Sequence, residues 1–383
     1  AKIGSSAVTT AKINDGAVTS GKIASGVIPS TRPNVNPIII NGDMNVAQRG
    51  TSSTGVSTSS YQTCDRMQIV LANLGAYTII QEDLSSGNAY NNGFKHAWRI
   101  DTTTADASPG SADLAIFRYK FEGQDVQVFK KGTSNAETYT LAFWVKSNKT
   151  GVGQVNLSDT DNTRMCSATY TISSADTWEH KVLNYAADTT GAFDNDNAVS
   201  LQIDWFLDSG SNFEGGSAPT AWETQSNGDR NASGNLNIGD NTANDWSITG
   251  IQLEVGEYTS STLPPFQHES FGDNLARCQR YFFKIEDTNE AIGGAFAKSS
   301  SQIIGTLQYP VVMRGAPSAT NNSLAIRIDG SGELQTSSSG TFTIESPNDN
   351  KTIFKMTGFS IGNTDHSFVA KRDSGSVEFS SEL

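Results

Sequence analysis

The first thirty residues carry branched apolar side chains at a fixed spacing. They divide into three units of ten, Ala1–Thr10, Ala11–Ser20 and Gly21–Ser30, each with Lys and Ile at its second and third positions. An apolar residue therefore recurs at every fifth position: Ile3, Val8, Ile13, Val18, Ile23 and Ile28. A period of five fits neither a heptad seam nor an amphipathic helix. Turn residues such as Asn14-Asp15-Gly16 instead separate short β-prone pieces.

Units this small cannot bury enough apolar surface to offset the chain entropy that ordering removes. We therefore expect the six apolar residues to face a shared axis in a parallel homo-oligomer. A homotrimer is the simplest choice, because it closes around branched residues without leaving a sheet edge open. A disordered linker of the same composition is the alternative. With the proline-containing neck that follows, the predicted shaft spans residues 1–36.

Between residues 37 and 267 the pattern changes to short β-rich segments separated by Gly, Ser, Asn and Asp. The clearest segment is Thr138–Lys146, with the sequence TYTLAFWVK. Four apolar residues alternate onto one of its faces: Tyr139, Leu141, Phe143 and Val145. Such segments with long loops and hardly any helix predict a β-sandwich of jelly-roll type. All six tryptophans lie in this block, and we expect most of them to fill its core.

The remaining residues predict a short helix and further strands. Ser270 or Asp273 can cap a helix that runs to Arg280 and places Cys278 on its apolar face. Apolar segments between Phe282 and Leu383 predict a second, smaller β-sandwich. The fold class is therefore all-β, in three parts: the oligomeric shaft (1–36), the jelly roll (37–267), and the helical connector with its C-terminal β-sandwich (268–383).

Five phrases occur in order along the chain. They are INGDMNVAQRGTS (Ile40–Ser52), CDRM (Cys64–Met67), TLAFWVKS (Thr140–Ser147), DWFLDSGSNF (Asp204–Phe213), and the stretch from ITGIQLEVG to NLARCQRYF (Ile248–Phe282). Together they resemble tail-fibre proteins of tailed bacteriophages, and the opening repeats are similar to the shaft repeats of such fibres. The resemblance covers roughly residues 1–317. It implies a jelly roll similar to galactose-binding domains and carbohydrate-binding modules.

The resemblance also implies a function. Such fibres are typically homotrimers, with the shaft toward other virion tail proteins and the terminal domains toward the host. We therefore expect a virion tail protein, made in the bacterial host cytoplasm, that recognises a host-surface glycan or protein. A structural appendage without a receptor is the alternative. A polysaccharide depolymerase spike fits less well, because such spikes usually resemble long parallel β-helices and no regular coil repeat is present here.

Charge and cysteine content narrow the choice of partners. The net charge is −13, and residues 1–40 carry +3 of it, which leaves −16 on the rest of the chain. This balance argues against nucleic acid or an anionic membrane surface as partner, and the apolar runs are far shorter than the ~20 residues of a membrane span. Cys64, Cys166 and Cys278 show no metal or disulfide spacing, so we expect three buried thiols.

No catalytic or metal constellation emerges from the sequence. The four histidines (His96, His180, His268 and His366) have no paired metal spacing, and no GxSxG elbow is present. Related carbohydrate modules often hold calcium between an early NG-D-F-E strand and a late Asp, but here Asn45 replaces the Glu and Thr249 lies at the late position. We expect no enzyme activity, no cofactor and no bound metal.

Sugar binding needs an exposed aromatic ring flanked by amide or carboxylate side chains. Phe213 and Trp222 lie in the polar stretch SGSNFEGGSAPTAWETQSNGD, and Tyr90 lies in SGNAYNNG. These three residues are therefore the candidate glycan ligands. The alternative is a ring packed beneath its own loop. The C-terminal domain is a second candidate for host contact, or serves only to lock the trimer.

Overall fold

The computed structural model of the chain describes residues 36–286, 291–330, 333–337, 341–361 and 367–383. The predicted shaft core (Ile3, Val8, Ile13, Val18, Ile23 and Ile28) lies outside these ranges, as does His366. Within them the elements are nearly all β-strands, which confirms the predicted all-β class, while the oligomeric shaft stays a prediction. Neither α-helix of the described residues has the length and apolar composition to cross a membrane.

In the described part of the chain, the larger unit is a sandwich of two antiparallel sheets. Its strands are β1 (Ser52–Val56), β2 (Ser60–Tyr61), β3 (Gln68–Ala72), β4 (Ala76–Asp83), β5 (His96–Thr104), β6 (Leu114–Glu122), β7 (Tyr139–Ser147), β8 (Gly151–Asp159), β9 (Arg164–Ile172), β10 (Glu179–Tyr185), β11 (Val199–Ser209), β12 (Glu223–Thr224) and β13 (Asp245–Val255). The six-stranded sheet has the order β1-β4-β5-β13-β7-β10, and the seven-stranded sheet has the order β12-β9-β8-β11-β6-β3-β2. A short helix, α1 (Gly87–Asn91), joins β4 to β5.

The apolar faces of the two sheets meet in one core. Four side chains of β7 have no exposed surface, which confirms the face predicted from their alternation: Tyr139, Leu141, Phe143 and Val145. Three tryptophan rings, those of Trp98, Trp205 and Trp246, are also fully buried around Phe117. Their centroids lie 4.7, 5.2 and 5.7 Å from that of Phe117. Rings of this size contribute the largest share of the apolar area that stabilises such a core.

Helix α2 (Phe271–Gln279) follows the sandwich. The Ser270 hydroxyl oxygen accepts a hydrogen bond from the Asp273 amide at 3.2 Å, so the predicted cap is confirmed. Cys278 is buried in this helix, and Cys64 and Cys166 are buried thiols as well, as the sequence predicts.

The C-terminal strands form one continuous antiparallel sheet. They are β14 (Phe282–Ile285), β15 (Ala291–Ser299), β16 (Gln302–Gln308), β17 (Ser318–Gly330), β18 (Glu333–Ser337), β19 (Phe342–Glu345), β20 (Lys351–Thr357) and β21 (Ser367–Ser380). Their order is β18-β17-β21-β15-β16-β20-β19, and β14 pairs with β21. Strand β17, which lies next to one edge of the sheet, contacts β19 at the opposite edge. The sheet therefore curls around its own apolar core.

Buried polar contacts join the two units. The Glu122 carboxylate accepts hydrogen bonds from Arg280 Nε and Nη2 at 2.8 and 2.7 Å, and from the Tyr281 hydroxyl at 2.6 Å. Burial alone would raise the pKa of Glu122, but these hydrogen bonds outweigh it and hold the pKa below its usual value. Arg66 is fully buried, pairs with Glu382 and lies 3.4 Å from the Tyr281 ring centroid. Because each charge is paired, the interface can bury these ions.

Candidate functional site

Two of the three aromatic residues predicted to stack on a sugar are buried. Phe213 is 8% exposed and packs against Phe206 on the outer face of the seven-stranded sheet. Trp222 is 7% exposed, and its indole N–H donates to the Ala186 carbonyl oxygen at 2.8 Å. A ring that stacks on a sugar needs an exposed face, so the structure argues against a stacking role for both. Phe213 lies in a small cluster with Ile116 and Phe206, whereas Trp222 belongs to the core between the two sheets and contacts Tyr139.

Tyr90 lies elsewhere, near the end of helix α1, and is half-buried. The Lys95 ammonium nitrogen lies 3.5 Å from its ring centroid and covers one ring face. The ring packs on the same small apolar cluster as Trp144 and Phe266. Tyr90 therefore shares an apolar cluster with these two rings and lies apart from the other two candidates, and its role as a ligand stays a prediction.

The outer face of the six-stranded sheet carries a cleft of about 390 Å³, which we call the Trp144 cleft. One wall is formed by strands β7, β10 and β13, and the other by residues 260–268, which return along the sheet after β13. The lining residues are Asn92, Phe94, Trp144, His180, Gly250, Gln252, Ser260, Leu263, Pro264, Pro265, Phe266 and His268. Aromatic rings beside a few amide and hydroxyl groups are typical of small-ligand sites.

Trp144 lies in the cleft because of its position in β7. Its neighbours Phe143 and Val145 point into the core, so alternation along the strand turns the indole to the outer face. His180 is its direct cross-strand partner in β10, and the two ring centroids lie 4.9 Å apart with planes tilted by 30°. Desolvation beside the indole lowers the pKa of His180, so its imidazole is uncharged at neutral pH.

A β-bulge in β13 shapes the floor of the cleft. The pairing of β13 with β7 shifts between Thr249 and Gln252, so Ile248 and Ile251 both face the core although they are three residues apart. The extra residue turns Gln252 to the outer face. At the bulge Gly250 has φ of +61°, and a Cβ there would lie 2.6 Å from Phe94 Cζ. Glycine is therefore required for both the backbone conformation and the ring beside it.

Three rings close one end of the cleft. The centroids of Phe94 and Phe266 are 4.9 Å apart, and that of His268 lies 5.3 and 4.8 Å from them. Phe94 precedes β5, whereas Phe266 and His268 belong to the returning segment. Their contact therefore fixes the second wall of the cleft against the sheet.

The polar groups of the cleft suit hydroxyl ligands. Both Nε2 hydrogens of Gln252 are engaged, by the Glu254 carboxylate at 3.1 Å and the Pro264 carbonyl oxygen at 3.0 Å. Its Oε1 therefore remains as an acceptor for a hydroxyl. Asn92 and Ser260 lie exposed in the lining and add further amide and hydroxyl groups. A pyranose ring that stacked on Trp144 could exchange its hydroxyl hydration for these partners.

The cleft continues into a second depression of about 460 Å³. The two share His180 and Ser260 as lining residues, and the second is further lined by Tyr258, Asn184 and Lys181. Asn184 Nδ2 donates to the Tyr258 carbonyl oxygen at 3.0 Å, which ties the returning segment to β10. The two depressions are therefore adjacent on the outer face of the sheet.

The sequence indicates that Trp144 lies on an outer sheet face, but candidate residues chosen from polar loop stretches do not include it. In TLAFWVK the tryptophan is the one aromatic residue out of phase with the core-facing positions. A large ring on the outer face of a sheet is either covered by another segment or available to a ligand. His180, Gln252 and Phe266 carried no comparable signal, because only the folded chain brings them together.

The positions compared with a calcium motif are engaged in other contacts. Asp43 accepts a hydrogen bond from Asn45 at 2.5 Å, and the Thr249 hydroxyl donates to the His96 carbonyl oxygen at 2.7 Å. Among the residues that the structure describes, no three His, Cys, Asp or Glu side chains lie close enough together to hold a metal ion.

A scan with protein-family models and a search for related curated sequences match nothing. Among solved structures, the chain is similar to the enzymatically active domain of tailspike protein 4 of bacteriophage CBA120, with 11% identity and a TM-score of 0.27 over 57% of this chain and 21% of that one. It is similar to a putative sugar binding protein from Bacteroides thetaiotaomicron, with 13% identity and a TM-score of 0.30 over 57% of this chain and 100% of that one. It is also similar to TmCBM61 in complex with β-1,4-galactotriose, with 9% identity and a TM-score of 0.26 over 58% of this chain and 99% of that one. TM-scores this low assign neither a family nor a ligand.

Proposed function

We propose that this chain is a tail-fibre protein of a tailed bacteriophage and that it binds a host-surface glycan in the Trp144 cleft. The observation that carries the glycan assignment is the outward-facing Trp144 ring, flanked by His180 and Gln252. The indole face offers apolar contact to sugar C–H groups, and the amide and hydroxyl groups receive the sugar hydroxyls. The resemblance of the five ordered phrases supports the tail-fibre assignment.

Adhesion in this proposal depends on several copies acting together. An open, partly polar groove gives a weak contact, because little ligand surface is buried on binding. Three such contacts on a rigid homotrimer become strong, since the second and third form within an already tethered complex. Residues 1–30 supply the shaft, whose N-terminal side binds other virion tail proteins. The protein is made in the bacterial cytoplasm and acts on the virion tail.

Binding without bond cleavage is the proposed mode of action. A glycosidase needs two carboxyl groups on either side of the scissile bond. The lining of the Trp144 cleft contains no Asp or Glu side chain. We therefore propose no catalytic residue and no cofactor for this site.

The first experiment measures binding of the isolated protein to intact host cells and its competition with infection. We expect the wild type to coat cells and to block infection, and Trp144→Ala to do neither. Phe271→Ala is the matched control, because Phe271 is an exposed aromatic residue outside the cleft. Absence of cell binding by the wild type favours a structural appendage, and release of reducing ends from host polysaccharide favours a depolymerase.

Light scattering tests the oligomer separately. A homotrimer gives three times the chain mass of 40.9 kDa. A mass near that of one chain contradicts the proposed shaft. Deletion of residues 1–30 should weaken assembly, and an unchanged mass after deletion assigns assembly to the globular units.

A further inference from the structure

The Trp144 cleft has no formally charged side chain in its lining, although the chain has 27 basic and 40 acidic residues. The titratable groups among the lining residues are His180 and His268. His180 is uncharged at neutral pH because desolvation lowers its pKa. His268 lies at the rim, where its Nδ1 is 3.8 Å from Asp43. A ligand in this cleft therefore meets aromatic rings, an amide acceptor and hydroxyl groups.

The charged side chains just outside the lining of the cleft are either acidic or already in contact with another group of the protein. Glu254 lies behind Gln252 and fixes its amide, so that Oε1 is left as an acceptor. Lys95 contacts the Tyr90 ring. Lys181, at the second depression, is held by Glu179 at 2.6 Å and by the Thr171 carbonyl oxygen at 2.5 Å. Among the lining residues of the cleft, a carboxylate beside Trp144 would meet neutral amide, hydroxyl and imidazole groups and no Lys or Arg side chain.

An unpaired carboxylate in such a cleft is unfavourable. It loses part of its hydration without gaining an ion pair, and the net charge of −13 repels polyanions over a longer range. A neutral sugar loses only hydroxyl hydration, which the amide and hydroxyl groups replace. The cleft therefore discriminates by charge as well as by shape.

We propose that the ligand of the Trp144 cleft is a neutral glycan segment, and that the cleft rejects glycans bearing uronic acid, sialic acid or phosphate at the bound position. This inference rests on the proposed function and specifies its ligand class. It also assigns a specificity role to the absence of a Lys or Arg side chain from the lining of the Trp144 cleft. Ser260 is exposed and lines both this cleft and the second depression, where Lys181 is already bonded to Glu179.

The test uses an immobilised array on which each uronic-acid glycan is paired with its carboxyl-reduced, neutral form. Binding of the full-length protein is measured at pH 8, where imidazole is uncharged. We expect the neutral member of a bound pair to bind at least about tenfold more tightly, the ratio that one unpaired buried polar group produces. Equal or tighter binding of the acidic member overturns the proposal.

Ser260→Lys is the complementary variant, with Ser260→Gln as its matched control. The new ammonium group should strengthen binding of the acidic members by about fivefold, as one exposed ion pair does, while Ser260→Gln leaves the ratio unchanged. No gain in acidic binding by Ser260→Lys contradicts the inference. Trp144→Ala separates the two proposals: if array binding survives that variant, the site itself is wrong, whereas its loss together with an acidic preference rejects only the neutral ligand.

Discussion

The two outer faces of the sandwich are covered by returning segments in different ways. Residues 210–236 close over the seven-stranded sheet, where the outward side chains Gln154 and Asn156 donate to the carbonyl oxygens of Asp229 and Arg230 at 2.7 and 2.8 Å. Residues 256–270 cross the six-stranded sheet and leave the Trp144 cleft open between segment and sheet. Residues 210–236 therefore cover the outer face of their sheet, whereas residues 256–270 form one wall of the Trp144 cleft.

The difference lies in what each segment places against its sheet. On the closed face Asp204 accepts hydrogen bonds from Arg118 at 2.6 Å and from Arg230 at 3.3 Å, so a buried ionic network seals the contact. On the open face the segment is held by uncharged contacts: the Pro264 carbonyl oxygen accepts from Gln252 at 3.0 Å, and Phe266 packs against Phe94. Coverage of an outer face, rather than the aromatic content of a loop, therefore decides where a ligand can bind.

The largest effect is expected at Trp222, which lies away from the open face in the core between the two sheets. Trp222→Ala should lower the free energy of unfolding by about 3–5 kcal/mol, because it removes a ring packed against Tyr139 and leaves a cavity. Glycan affinity of the folded variant should stay unchanged. Chemical denaturation and array binding check this, with the exposed Phe271→Ala as control, expected within about 0.5 kcal/mol of wild type. A variant of full stability that no longer binds glycan would assign Trp222 to the binding site instead of the core.

The bulge in β13 offers a way to disturb the open face alone. Gly250→Ala should cost about 2 kcal/mol, because the residue has φ of +61° and its Cβ would collide with Phe94. We also expect weaker glycan binding, since Phe94 supports the wall of the cleft. Gly272→Ala is the control, because a Cβ at Gly272 meets no atom within 4 Å and the residue lies in helix α2. Equal melting temperatures of the two variants would contradict the role of the bulge.

A buried carboxylate outside the Trp144 cleft makes the stability of the fold sensitive to pH. Asp208 lies at the end of β11, its Oδ1 has no hydrogen-bond partner, and desolvation raises its pKa from 3.8 to about 7. A raised carboxyl pKa means that the folded state holds the proton more tightly than the unfolded state. The favourable contribution is complete below about pH 4 and is lost as pH rises through 7.

Asp208→Asn should therefore gain stability relative to wild type as the pH rises. Between pH 5 and pH 8 the difference in unfolding free energy should grow by on the order of 2 kcal/mol. Denaturation at both pH values measures it, and array binding should stay unaffected at each. A difference independent of pH would show that Asp208 is already ionised in the folded protein at pH 5.

The smallest effect is expected at His180. His180→Gln keeps a neutral polar group but removes the ring beside Trp144, so glycan affinity should fall about fivefold at unchanged stability. His96→Gln is the matched control, because His96 pairs with Asp83 and does not line the cleft. Equal affinities of the two variants would remove His180 from the site.

Local patterns predicted the framework of the fold well. The alternation in Thr138–Lys146 became strand β7, and the Ser270 cap began helix α2. Both depend on neighbouring residues alone. The curling of the C-terminal strands into one sheet depends on the pairing of β17 with β21, which are about fifty residues apart, and no local pattern encodes it.

The candidate site was harder to predict for the same reason. Phe213 and Trp222 have loop-like neighbours, yet tertiary contacts bury both rings. The Trp144 cleft assembles residues from β7, β10, β13 and a segment near Pro264 that the sequence gives no reason to place together. The position of Trp144 can be predicted from the sequence, because alternation along β7 places it on the face opposite the core.

Tryptophan indole resonances compare the open face with the core within one sample. The six indole N–H signals are assigned from single Trp→Phe variants, and the glycan that binds best on the array is titrated into the protein. We expect the Trp144 signal to shift with the ligand while the Trp222 signal, whose N–H is bonded to Ala186, stays in place. A shift at Trp222 with none at Trp144 contradicts it.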